Sequence, residues 1–355
     1  MVLVKTSGKG LEQQAIEVLQ ACLEDIPFLE IVQAEREPVL DGLRPDGLIR
    51  LRLPEGEQIL LIEVKSNGQP RLARMAADQL FRYRAACPSA YAVFAAPYIS
   101  PQAADFCRRE GIGYVDLAGN CLLSFDRVYV QREGRPNPFA EKRDLRSLYS
   151  PKAERVLRVM LVNPRRRWKV QALAGEAGVS LGHAHNVKKF LTDREWLSIT
   201  SDGFALSQPG QVLAEWAQNY QPSRNQKLTY YSMQPNNQIE AELAQVCHKR
   251  EVPYALTGFS GAARLAPAVR YQRVMAYVAT GVTETAADLA LKEVTSGANV
   301  HLLAPYDEGV LYRARDMDGI QIATPVQVYL DLQGLRARGG EAAQFLLEQV
   351  IRPTW

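Results

Sequence analysis

At 355 residues the chain exceeds one ordinary domain, and two or three are expected. With 47% apolar and 23% charged residues it can bury a sizeable core, which excludes a chain disordered by composition. A net charge of only +3 excludes a whole-chain electrostatic argument for nucleic acid, so any such argument must rest on local clusters.

The segment Met1–Gly10 lacks the apolar core of a signal peptide, and no run approaches the roughly 18 apolar residues of a membrane span. The five cysteines, Cys22, Cys87, Cys107, Cys121 and Cys247, are odd in number and show no C-x-x-C spacing. A zinc ribbon and a disulfide framework are therefore not expected, and free thiols in a reducing cytoplasm are.

In chain order, apolar spacing predicts a helix over Leu11–Leu23. Strand-like runs follow at Gly47–Leu53 and Gln58–Lys65, hinged by the Pro54–Glu57 turn. A helix is expected over Arg71–Ala86 and a strand over Tyr91–Ala96. Ser100 and Pro101 open another helix as N-cap and first helical residue, and short strands at Tyr114–Asp116 and Val128–Gln131 close the block. The order α-β-β-α-β-α-β predicts an α/β sandwich with a mixed sheet over residues 1–133. The small residues around Asp116 and Asn120 read as a tight turn.

The sharpest chemistry lies in the first hairpin. Glu63 and Lys65 are two apart on one strand and share a face. Antiparallel pairing brings Asp46 near Glu63, and two such carboxylates suit Mg²⁺, beside which a lysine can orient or deprotonate a water. Pro45-Asp46, Glu63-x-Lys65 and Gln79-x-x-x-Tyr83 together resemble the PD-(D/E)xK nuclease superfamily, with the last element similar to that of its RecB-like members. The resemblance implies a restriction-endonuclease-like fold, with Asp46 and Glu63 as metal ligands and Lys65 as the catalytic lysine. Gln79 and Tyr83, on one helical face, would support the site or touch DNA, and Glu17 is a further acidic candidate on the first helix. Convergence of these groups with room for a metal would favour a nuclease, whereas a Lys65–Glu63 salt bridge filling that space would favour a binding role.

Residues 134–149 read as a linker. Block 150–220 is predicted to hold a helix capped by Ser150, a short helix over Val170–Ala177, a turn at Gly178 and a third helix to about Asp193. A two-stranded ribbon around Ser201–Gly203 and a closing helix over Gln211–Tyr220 follow. This pattern resembles a winged helix-turn-helix. Ala184, Val187 and Leu191 form the buried stripe, which leaves Ser180, His183, His185, Asn186 and Lys189 outward for base edges and phosphates. Arg165, Arg166, Arg167 and Lys169 add a basic cluster for the DNA backbone.

Residues 225–355 read as a C-terminal α/β domain with strands at Tyr254–Thr257, Val274–Val278, Val300–Leu303 and Val326–Leu330 and helices at Gln238–Arg250 and Glu341–Ile351. Gly258-Phe-Ser260-Gly261 is similar to a nucleotidyltransferase turn, but the following strand Arg273–Val278 lacks the acidic pair. The alternatives are a degenerate relative or a plain packing turn. Residues 150–355, with Val328–Leu332 and Gly339–Ala343, resemble AbiEi-type antitoxins of type IV toxin–antitoxin systems. That resemblance implies a repressor of its own operon that binds repeats in double-stranded DNA and counters a toxin encoded nearby without a direct complex, and since operator symmetry mirrors protein symmetry a homodimer is expected. The chain is thus expected to be a DNA-binding transcriptional regulator, with a Mg²⁺-dependent endonuclease as the alternative.

Overall fold

The computed structural model describes residues 10–40, 42–139, 148–266, 271–335 and 338–355. The N-terminal segment 1–9 and residues 140–147 of the expected linker lie outside them. The chain divides into two compact units, residues 1–145 with 192–195, and residues 146–191 with 196–355.

The first unit is one seven-stranded sheet in sequential order, β1 (Glu30–Arg36), β2 (Gly47–Leu53), β3 (Gly56–Val64), β4 (Tyr91–Ala96), β5 (Gly113–Asp116), β6 (Cys121–Phe125) and β7 (Val128–Arg132). The pairs β3–β4 and β4–β5 are parallel and the others antiparallel, so the sheet is mixed as expected. Helix α1 (Leu11–Leu23) buries Ala15, Ile16 and Leu19 on one face, against Ile49, Leu60 and Ile62. Helices α2 (Pro70–Ala86) and α3 (Pro101–Arg109) cover the other face through Ala76, Leu80 and Phe106. Ser100 accepts from the Ala103 N–H, the cap its sequence announced. Strands β1 and β6 were not anticipated. β1 is an edge strand, largely exposed, and its charged sequence carries no alternating signature.

The turn around Asp116 is structural. Asp116 is fully buried and accepts from the Asn120 backbone N–H (2.8 Å), the Asn120 side chain (2.9 Å) and the Ile99 N–H. Gly119 turns there at φ +89°.

The second unit opens with α4 (Pro151–Val162), α5 (Val170–Glu176) and α6 (Leu181–Asp193), followed by the hairpin β8 (Leu197–Thr200) and β9 (Gly203–Leu206) and by α7 (Pro209–Asn219). Gly178 makes the expected left-handed turn at φ +60°. A second seven-stranded mixed sheet comprises β10 (Gln226–Tyr231), β11 (Tyr254–Leu256), β12 (Val274–Val278), β13 (Lys292–Glu293), β14 (Val300–Ala304), β15 (Arg315–Met317) and β16 (Ile320–Ile322). Its spatial order is β13-β10-β14-β12-β11-β16-β15. Helices α8 (Asn236–Lys249), α9 (Gly258–Leu265), α10 (Val282–Asp288), α11 (Pro325–Gln333) and α12 (Gly339–Leu346) pack around it.

The run Val326–Leu330 corrects the expectation of a strand, since it lies inside α11. Thr324 accepts from the Gln327 N–H and Pro325 sits at the first helical position, so the local capping chemistry overrides the β-like alternation of the run. The Gly258–Gly261 turn opens α9. Gly258 takes φ +55°, and the buried Ser260 hydroxyl is spent on the Thr257 and Met275 backbones.

One apolar core runs through α4–α7 and on into α11 and α12, including Trp168, Leu191, Trp216, Val328 and Leu346. The residues expected to form two separate domains therefore share a core. All five cysteines are free. Among the described residues no helix is long and apolar enough to cross a membrane.

Candidate functional sites

In the first unit, Gly47 pairs with Ile62 across the hairpin, which sets Asp46 beside the end of β3. Asp46 accepts from the Val64 N–H at 2.7 Å. Glu63 is almost fully buried, at 3% exposure, and both of its oxygens are occupied. Oε1 accepts from Lys65 Nζ at 2.5 Å, and Oε2 from the Tyr83 hydroxyl at 3.1 Å. Lys65 also donates to Gln79 Oε1 at 2.5 Å, and Tyr83 to the Arg44 carbonyl at 3.3 Å. The i, i+4 spacing of Gln79 and Tyr83 on α2 aims both at the sheet, so all five residues meet.

Burial pushes the Glu63 and Asp46 carboxyls up, and the charge of Asp46 adds to the shift at Glu63. The Tyr83 hydroxyl is pushed up to about 12, first by burial and then by Glu63. Sequence reasoning named Glu17 as the acidic group of α1. The structure instead has Glu17 accepting from Gln13, and the α1 charge acting on Asp46 is that of Glu12.

A Mg²⁺ held here would take its protein oxygens from Asp46 and Glu63. That ion requires near-octahedral oxygen ligation. Glu63 has both oxygens engaged and Asp46 has one on the backbone, while the Lys65 ammonium stands against Glu63. Among the described residues no group of three or more His, Cys, Asp or Glu is placed to hold a metal. Chemically, the cluster is a buried ion pair braced by an amide and a phenol.

In the second unit, Ala184, Val187 and Leu191 turn inward from α6, as the spacing required. His183, His185, Asn186 and Lys189 are exposed. Ser180, also exposed, is engaged locally. Its Oγ accepts from the His183 N–H and lies 2.8 Å from His183 Nδ1, so it caps the helix and steadies the imidazole. The basic cluster divides. Arg165 donates to the Trp355 carbonyl, Arg166 lies 3.9 Å over the Trp168 ring, and Arg167 donates to Thr200 on the hairpin. Lys169 is exposed at the start of α5. These groups present amide, imidazole, ammonium and guanidinium donors on one unit, the chemistry that base edges and phosphates accept.

A third constellation escaped sequence reasoning. Asp331, buried, accepts from Thr257 (2.5 Å), Tyr277 (2.8 Å), Tyr220 (2.9 Å) and Gln327 (3.1 Å). Gln327 in turn accepts from Arg158 at 2.7 and 3.2 Å. An acid within the apolar run Val328–Leu332, four residues after an amide, was the available signal.

Two α/β units thus carry a braced carboxylate–lysine cluster and an exposed polar helix. Residues 205–352, short of half the chain, match the family model for the AbiEi antitoxin, a transcriptional regulator of type IV toxin–antitoxin systems. No curated protein matches the chain significantly. Two similar solved structures are a repair endonuclease from Pyrococcus abyssi, at 12% identity, and EndoMS in complex with double-stranded DNA, at 16%. Each likeness covers 32% of this chain, with a TM-score of 0.23. The chain spans about half the length of these relatives, 49% and 47% respectively.

Proposed function

We propose that this protein is a DNA-binding transcriptional regulator of the AbiEi antitoxin type. Residues 150–220 act as a winged helix that reads double-stranded DNA, with α6 as recognition helix and β8–β9 as wing. The family match over residues 205–352, adjoining the exposed polar face of α6, carries this reading. The first unit serves as a PD-(D/E)xK-like scaffold or second DNA contact. The Lys65–Glu63 ion pair supports a binding role over cleavage, because it sets the lysine ammonium against the carboxylate. In this reading the protein is cytoplasmic, binds inverted repeats as a homodimer, and opposes a toxin encoded beside it without a direct complex.

The test is binding to the protein's own promoter DNA, followed together with plasmid cleavage in Mg²⁺ or Mn²⁺. Binding without cleavage is expected, in the wild type and in Lys65→Ala alike. Cleavage that Lys65→Ala abolishes would replace the regulator with a nuclease. Alanine at His183, Asn186 or Lys189 should cost about 1–3 kcal/mol of specific affinity for each base edge the side chain reads. Lys169→Ala should weaken all sequences alike and flatten the salt dependence by about one unit.

A further inference from the structure

The proposed winged helix is bonded into the C-terminal half from α4, from α5 and from just beyond α7. From α4, Arg155 pairs bidentately with Asp307 (2.7 and 2.9 Å), Glu154 accepts from Arg224 and Tyr306, and Arg158 reaches Gln327. From α5, Glu176 accepts from Tyr312 and Arg313. Just beyond α7, Tyr220 donates to Asp331. Glu154, Arg158, Gln327 and Asp331 are all buried. The central relay runs Arg158–Gln327–Asp331. The Gln327 oxygen takes the guanidinium and its nitrogen gives to the carboxylate, so a buried cation and a buried anion are joined through one amide. An apolar core alone tolerates sliding, whereas hydrogen bonds of fixed direction between buried groups do not.

We propose that Gln327 and Asp331 are positioning residues. They make the three-helix segment and the C-terminal sheet a single cooperative unit, so that DNA binding depends on the integrity of the C-terminal half. The dependence of DNA binding rests on the function proposed above, whereas the cooperativity stands without it.

The experiment is hydrogen exchange on the full chain, read at residues 181–193 and 274–278 across a denaturant series, with affinity for promoter DNA measured in parallel. In the wild type both segments should open together, with one denaturant dependence. Gln327→Leu takes two hydrogen bonds from the buried Arg158 guanidinium and leaves it the Glu154 carbonyl at 3.4 Å. It should speed exchange in both segments by about tenfold or more, and by the same factor. The double variant Arg158→Met with Gln327→Leu removes the stranded charge, and should recover slow exchange in both segments but not full discrimination between promoter and random DNA. A merely structural role would recover both. Segments that open at different denaturant concentrations in the wild type overturn the cooperativity, even if Gln327→Leu does not fold. Full discrimination in the refolded double variant overturns the positioning role. A wild type that binds no DNA while the two segments still open together removes the proposed function and leaves the cooperative unit standing.

Discussion

Glu63 shows what a braced site costs at the scale of one residue. Burial raises its pKa in the folded protein, so the fold favours the protonated form. The contribution is therefore most favourable below the unfolded carboxylate range, near pH 4, and is lost as pH rises through the folded value. Glu63→Gln, which keeps an acceptor for Tyr83, should raise the thermal midpoint at pH 7, and the gain should shrink toward pH 4. A lower midpoint at pH 7 would show that the Lys65 ion pair outweighs desolvation. His301 has the opposite sign. The residue is 8% exposed, its Nδ1 has no hydrogen-bond partner among the described residues, and burial followed by the charges of Lys227 and Arg273 lowers its pKa to about 4. The unfolded chain takes up the proton first. Stability should thus fall as pH drops from about 6.5 toward 4, at up to about 1.4 kcal/mol per pH unit. His301→Leu should flatten that slope in urea titrations, and an unchanged slope would refute the assignment.

Elements stand or fall on a few such interactions. Gly203 opens β9 at φ +138°, and a Cβ there would lie 2.5 Å from the Trp168 carbonyl. That carbonyl accepts from the Phe204 N–H, which fastens the hairpin to the loop ahead of α5. Gly203→Ala should detach the ribbon, lowering both the thermal midpoint and DNA affinity. At α11 the Thr324 cap is the point of control, and Thr324→Ala should cost about 1 kcal/mol in chemical denaturation. Gln327 and Asp331 lie four apart, so only a helix turns both into the same network.

Across the whole molecule, residues expected to form two domains share one core and one polar network. A fragment spanning 150–220 would expose Trp216, Leu213 and Tyr220, which the C-terminal half otherwise helps to bury. Such a fragment should show poor spectral dispersion and no cooperative melt, whereas an independent winged helix would melt sharply. The family match begins at residue 205, inside the hairpin, so its boundary also crosses this junction rather than respecting it.

Local chemistry was legible in the sequence. Ser100 and Ser150 announced their helices, and Gly178 its turn, because caps and positive φ depend on neighbours a few residues away. The Glu63–Lys65 and Gln79–Tyr83 spacings placed four of the five cluster residues on the right faces, since strand and helix periods fix direction without any knowledge of the fold. What sequence alone did not decide was partnership. Which acceptors Lys65 meets, whether Glu12 or Glu17 turns toward Asp46, and whether Arg158 is a surface charge or a buried one each depend on how distant segments dock. Those choices rest on desolvation and on hydrogen bonds between residues as much as 169 positions apart, as with Arg158 and Gln327. The tertiary structure settled them because only packing determines which polar groups lose water, and hence which must find one another.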